Sequence, residues 1–171
     1  MVKHFLKPRL HVKTLLQIPL QEIVSKGING LIIDLDNTIT EWNSPKLRKE
    51  FIEWFKLLSA YNIKACIASN NNKERVEQIG ISLGIPAIYK ACKPRKRAFR
   101  KAIRIMGTDI KSTAVIGDQL FTDILGGNRL GLYTILVTPL NSKEFLVTRM
   151  VRKVEHLFLK ALLEKRSQYE N

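Results

Sequence analysis

The segment from Gly30 to Thr38, GLIIDLDNT, constrains this chain more than any other. A small residue and three apolar ones run into two carboxylates two positions apart, followed by Asn and Thr. A short, continuously apolar run is a strand covered on both faces, the pattern of a parallel sheet. Alternate side chains of a strand share a face, so Asp34 and Asp36 leave its end close to one another. Carboxylates held that close repel unless a cation or a proton intervenes. The competing interpretation makes Asp36, Asn37 and Thr38 plain turn residues. It leaves Asp34 inside an apolar strand, where an unpaired charge is expensive.

Strand and helix then alternate. Ser44 and Pro45 suit the N-cap and first position of a helix whose Leu47, Phe51, Trp54, Phe55 and Leu58 share one face. Ile63 to Ala68 forms a second strand, and Asn71 or Asn72 caps a helix ending near Gly84. Ala87 to Tyr89 is a third strand, with a helix from Pro94 to Met106 after it. Thr113 to Ile116 leads into Gly117-Asp118, a helix runs from Phe121 to Leu130, and Tyr133 to Val137 is the fifth strand. The pattern predicts an α/β, Rossmann-like fold: a mostly parallel five-stranded sheet flanked by helices. The 171 residues suit a single domain, 1–171. Its core lies over about 28–140, with an N-terminal extension (1–27) and a C-terminal amphipathic helix (143–165).

Such a sheet places ligands at the carboxyl ends of its strands. A second acidic pair, Asp118 and Asp123 in GDQLFTD, follows the fourth strand and arrives at the edge that carries Asp34. Three or four carboxylates there make a hard oxygen site of the kind Mg²⁺ favours. Ser69-Asn70 ends the second strand and Lys93-Pro94 follows the third. A hydroxyl and an ammonium can both bind phosphoryl oxygens. Either alone is weak, and their force comes from order and position.

That ordered set resembles the haloacid dehalogenase (HAD) superfamily, with DLDNT as the first signature, Ser69 the second, Lys93 the third and GDQLFTD the fourth. The wording DLDNT and the short chain are most similar to the type IIIA phosphatases, and within them to the YqeG-like branch that includes mitochondrial phosphatidylglycerophosphatases. The resemblance implies a phosphatase with Asp34 as nucleophile and Asp36 as acid/base. It further implies Mg²⁺ held by Asp34, Asp36 (through its main-chain carbonyl), Asp118 and Asp123, and phosphate bound by Thr38, Ser69, Asn70 and Lys93. From Asp36 to Ser69, and from Ser69 to Lys93, there is room for one helix and one strand, so no cap domain is expected.

Lys and Arg number 29 against 15 Asp and Glu, a net charge of +14. Such a surplus suits nucleic acid, an anionic membrane or a polyanionic substrate. Eight of the basic residues fall between Lys90 and Arg104. That stretch holds one aromatic, Phe99, and no stacking platform, which argues against a nucleic-acid binder. The favoured partner is a phosphorylated substrate, an anionic phospholipid at a membrane surface. A soluble phosphomonoester and a nucleic-acid end are the alternatives. Phe5, Leu6, Leu10, Leu15, Leu16 and Ile18 are further candidates for lipid contact, and the C-terminal helix for sheet packing or a homodimer interface. No apolar run approaches the roughly 18 residues of a spanning helix, and no leader pattern stands at the N-terminus. The expected location is cytoplasmic, peripheral to the inner face of the membrane. Cys66 and Cys92 are expected as buried free thiols.

Overall fold

The computed structural model describes residues 5–42, 44 and 46–141. Its sheet has six strands: β1 (Leu10–Val12), β2 (Gly30–Ile33), β3 (Lys64–Ala68), β4 (Ala87–Ile88), β5 (Thr113–Gly117) and β6 (Tyr133–Val137). All pair in parallel, in the order β1-β6-β5-β2-β3-β4. The helices are α1 (Leu20–Ser25), α2 (Lys49–Ala60), α3 (Lys73–Leu83), α4 (Lys96–Met106) and α5 (Leu125–Leu130), the last continuing a π-helical turn over Leu120–Ile124.

The α/β class and the parallel sheet are as the sequence predicts; the strand count is corrected from five to six. The added strand, β1, is three residues long and lies at the sheet edge beside β6. Three half-exposed residues are too few to give a periodic signal. Around β1, Leu6, Leu15 and Ile18 are buried and Leu10 packs on the core, while Phe5 and Leu16 stay exposed. Much of the apolar surface expected to meet lipid is therefore used inside the protein.

Alternation along the strands divides the core in two. Leu31, Ile33, Ile67 and Ile116 face the layer of α2 and α3, where Phe51, Trp54 and Phe55 pack. Ile32, Cys66 and Val115 face α4, which contributes Phe99, Ala102 and Met106. Cys66 is buried as expected, and burial pushes its thiol up to about 12. Cys92 is exposed, because it lies in the loop before α4 and not on a packed strand.

α2 starts later than its sequence signal. Arg48 is the N-cap, and Leu47 packs on the core from the preceding loop. Ser44 is held in that loop, where its carbonyl accepts a 2.7 Å bond from Arg75 Nη1; Pro45 lies outside the described residues. The helix expected over 143–165, with its packing and homodimer readings, also lies outside them. Among the described residues, no helix is long and apolar enough to cross a membrane.

Candidate active site

β2 is the centre of the site because chain order reverses around it, with β3 on one side and β5 on the other. The crevice at such a switch point is where open α/β sheets bind ligands. Register sets what meets there. Ile33 pairs with Ile116 and with Ile67, so the residues just beyond the three strands, Asp34, Asp118 and Ser69, emerge together. The Asp34 N–H donates to the Ile116 carbonyl at 2.9 Å, which keeps Asp34 in register with β5. The chain then turns sharply. Asn37 takes a positive φ of 61°, a conformation Asn tolerates, and its N–H bonds the Thr40 carbonyl.

Two ionic centres result. In the first, Lys93 Nζ lies 2.5 Å from Asp34 Oδ1 and 2.7 Å from Asp123 Oδ1, and all three side chains are under one-tenth exposed. Asp118 completes the cluster: one carboxylate oxygen from each of Asp34, Asp118 and Asp123 lies within 4.8 Å of the others. Asp123 reaches this position because residue 117 is glycine; a Cβ there would sit 2.2 Å from the Asp123 carboxyl carbon. Gln119 N–H and the Thr122 hydroxyl hold its other oxygen at 3.3 and 3.2 Å.

Charge at this centre does not balance. Among the described residues, three carboxylates face one ammonium, a formal −2 in a buried volume when all are ionised. Burial, and then the Asp123 charge, push Asp34 up to about 7 although Lys93 pulls the other way. Burial opposes the Lys93 ammonium, yet Asp123 and Asp34 outweigh it and hold its proton more tightly than usual. The Asp34 shift is upward chiefly through burial, and the Lys93 shift because two carboxylates face its ammonium. A hard divalent cation fits this donor set in ligand type and in charge.

In the second centre, Asp36 pairs with Arg75 of α3, with Nη2 and Nε at 2.7 and 3.1 Å from Oδ1. Asn71 Nδ2 donates to Asp36 Oδ2 at 3.0 Å. Here one carboxylate meets one guanidinium and the charges cancel.

Residues 91–146 match the HAD-hydrolase-like family. Over 96% of this chain and 96% of its own length, the Bacillus subtilis protein described as "Probable phosphatase YqeG" is 45% identical. The chain belongs to the YqeG family of HAD-like hydrolases. It is an enzyme, a phosphatase of the HAD type. A second relative, phosphatidylglycerophosphate phosphatase 1 of Arabidopsis thaliana, is 29% identical over 95% of the chain, which spans 50% of that protein's length. Among solved structures, a Legionella pneumophila protein assigned to HAD subfamily III A has a TM-score of 0.53 at 20% identity, covering 71% of this chain and 70% of that one. That likeness concerns the fold.

In this YqeG-family chain the two centres open into a cavity of about 580 Å³. Of the residues that the sequence singles out, Asp34, Asp36, Ser69, Asn70 and Lys93 line it. Asp118 and Asp123 are buried beside Asp34 and are not among the lining residues. Thr38 is buried away from the cavity wall, and its hydroxyl has no hydrogen-bond partner among the described residues. Asn70 uses its amide on the Lys93 main chain: Oδ1 accepts from Lys93 N at 2.8 Å, and Nδ2 donates to the Lys93 carbonyl at 3.4 Å. It thereby fixes the loop that carries the ammonium. Sequence reading missed Trp42, Asn71, Gln119 and Phe121 in the wall, and Arg75 behind Asp36. Arg75 had a usable signal, because the first turn of a helix capped by Asn72 points at the strand edge.

Proposed function

We propose that this chain is a Mg²⁺-dependent phosphomonoester hydrolase that works through an aspartyl-phosphate on Asp34 and converts phosphatidylglycerophosphate to phosphatidylglycerol. The observation that carries the reading is the buried trio Asp34, Asp118 and Asp123 beside the Lys93 ammonium at the sheet's switch point. Asp34, Asp118, Asp123 and the Asp36 main-chain carbonyl would hold the cation. When bound, it supplies positive charge that offsets the −2 and the charge of a phosphoryl group.

The chain's own residues do the rest. An Asp34 carboxylate oxygen attacks phosphorus from a position fixed by β2. Lys93 and Ser69 bind phosphoryl oxygens and stabilise the charge that spreads over them. Asp36 gives a proton to the departing alcohol oxygen and later takes one from the water that hydrolyses the intermediate. We take residues 1–171 as one domain with the core near 28–140 and no cap, so the edge is open to a large substrate. Asn70 serves the phosphate subsite by holding Lys93, and Thr38 by shaping the turn beneath it.

Three observations support a lipid substrate. One is the likeness to the Arabidopsis phosphatidylglycerophosphate phosphatase. Another is that, among the described residues, a single helix separates β2 from β3 and β3 from β4, the two places where a cap domain would be inserted. A third is α4, whose Arg97, Arg100, Lys101 and Arg104 are exposed and form no ion pair among the described residues. Each basic residue near an anionic bilayer adds about 1 kcal/mol of attraction. The enzyme would act in the cytoplasm at the inner membrane face. The test is Mg²⁺-dependent phosphate release from phosphatidylglycerophosphate in mixed micelles, with Asp34→Asn beside the wild type. Release abolished by the substitution and by chelation is expected. Turnover of soluble or polynucleotide 3′- or 5′-phosphates without lipid turnover would discard the lipid substrate and keep the chemistry.

A further inference from the structure

Asp36 is held by a residue outside the four signature segments. Arg75 sits in the first turn of α3, where its own N–H is capped by Asn72 Oδ1 at 3.1 Å. Its guanidinium, 10% exposed, reaches four groups, one of them the Glu41 carbonyl at 3.4 Å from Nη2. Nε and Nη2 meet Asp36 Oδ1 at 3.1 and 2.7 Å, Nη2 also donates to Thr40 Oγ1 at 2.8 Å, and Nη1 donates to the Ser44 carbonyl at 2.7 Å. Asp36 Oδ2 receives Asn71 Nδ2. The orientation of that amide is settled by the Asn72 main-chain N–H, which can only donate and meets Asn71 Oδ1 at 2.7 Å.

We infer that Arg75 is a positioning residue for proton transfer: by taking Oδ1 of Asp36 it fixes the carboxyl plane and directs the transferable proton to Oδ2. The inference rests on Asp36 being the acid/base. A guanidinium stays protonated in proteins, so Arg75 orients Asp36 without competing for the proton. Its planar fork also sets direction, which a single ammonium cannot do. A plain structural staple would need only the bonds to Thr40, Glu41 and Ser44; Nε is given wholly to the carboxylate and Nη2 shared with it.

The proton balance is complete without a further reactant. In the first half, Asp34 bonds to phosphorus, the bond from phosphorus to the leaving oxygen breaks with its electrons on that oxygen, and the Oδ2 proton passes to it. In the second, water bonds to phosphorus, its proton returns to Oδ2, and the Asp34–phosphorus electrons revert to Asp34. Only the first half depends on the leaving group. An alkoxide must be protonated as it departs, whereas a nitrophenolate leaves without help.

The experiment compares kcat for an alkyl phosphomonoester (phosphatidylglycerophosphate in mixed micelles, or glycerol 3-phosphate) with kcat for p-nitrophenyl phosphate, in wild type, Arg75→Ala and Arg75→Lys. Arg75→Ala is expected to lose about 10²-fold on the alkyl ester, within the usual range for general acid catalysis, and less than about tenfold on the aryl ester, with little change in KM. Arg75→Lys should fall between. Both esters are measured on one preparation, so a misfolded fraction cancels in the ratio, and Arg75→Lys carries the test if the alanine variant does not fold. An alkyl-to-aryl ratio equal to that of wild type overturns the inference. So does a wild type that cleaves only the aryl ester, although Asp34-dependent hydrolysis then stands. A wild type that cleaves neither sinks the phosphatase reading itself.

Discussion

The Lys93 and Arg75 centres lie at the same sheet edge and are built on opposite electrostatic plans. Around Lys93, among the described residues, three carboxylates share one ammonium and the balance is negative. Around Arg75, among the described residues, one guanidinium meets one carboxylate and the pair is balanced. A buried excess of negative charge costs stability and is relieved by a cationic ligand. A balanced, forked pair needs no ligand and gives geometry instead. The first centre is thus suited to bind, and the second to aim.

The sharpest way to break this contrast is to remove the proposed nucleophile. Asp34→Asn should lower turnover by at least about 10⁴-fold, the scale on which losing a covalent nucleophile acts. It should also change the stability of the chelated protein. Burial pushes the Asp34 carboxyl up to about 7 from the 3.8 of a free side chain, so the folded state holds its proton more tightly. That contribution to stability is complete below the unfolded value and is lost as pH rises through about 7. Thermal melts in chelator should show wild type weakening from pH 4 to 7 relative to Asp34→Asn; parallel profiles would remove the charge argument.

Next in size are the two cations. Lys93→Met leaves the carboxylate trio without its ammonium, and should lower kcat about 10²- to 10³-fold, as loss of a charge-stabilising donor does. Added Mg²⁺ should raise its melting temperature more than it raises that of wild type. Arg75→Ala breaks a nearly buried pair and should cost about 3 kcal/mol in urea unfolding, while its shift on adding Mg²⁺ stays at the wild-type value. Equal Mg²⁺ responses in the two variants would erase the distinction between the centres. The smallest effects belong to α4. Arg100→Ser with Arg104→Ser should leave the melting temperature almost unchanged, since exposed substitutions typically stay within about 0.5 kcal/mol. Binding to anionic vesicles should weaken by about 1 kcal/mol per residue, read by co-sedimentation.

The two centres also differ in how far the sequence disclosed them. Asp34 and Asp118 follow strands whose apolar pattern stands out, and parallel register brings both to one edge, while Lys93 and Asp123 come from the loop after β4 and the turn after β5. The Arg75 centre depends on side-chain reach across a loop, from residue 75 to Asp36, Thr40 and Ser44. No local periodicity encodes that, and Arg75 is one of 29 basic residues. The same loop explains the late start of α2, since Ser44 serves Arg75 and not a helix N-cap. β1 was missed because a three-residue edge strand carries little pattern, whereas β6, five residues with four buried, was visible from its apolar run.

The central claim is a covalent intermediate on Asp34, and the direct measurement is peptide mapping after rapid acid quench of enzyme turning over p-nitrophenyl phosphate with Mg²⁺. The account predicts one phosphoryl group on the peptide carrying Asp34, absent in Asp34→Asn and accumulating in Asp36→Ala, where water is no longer activated. Phosphate release by wild type with no labelled peptide in wild type or in Asp36→Ala would contradict it.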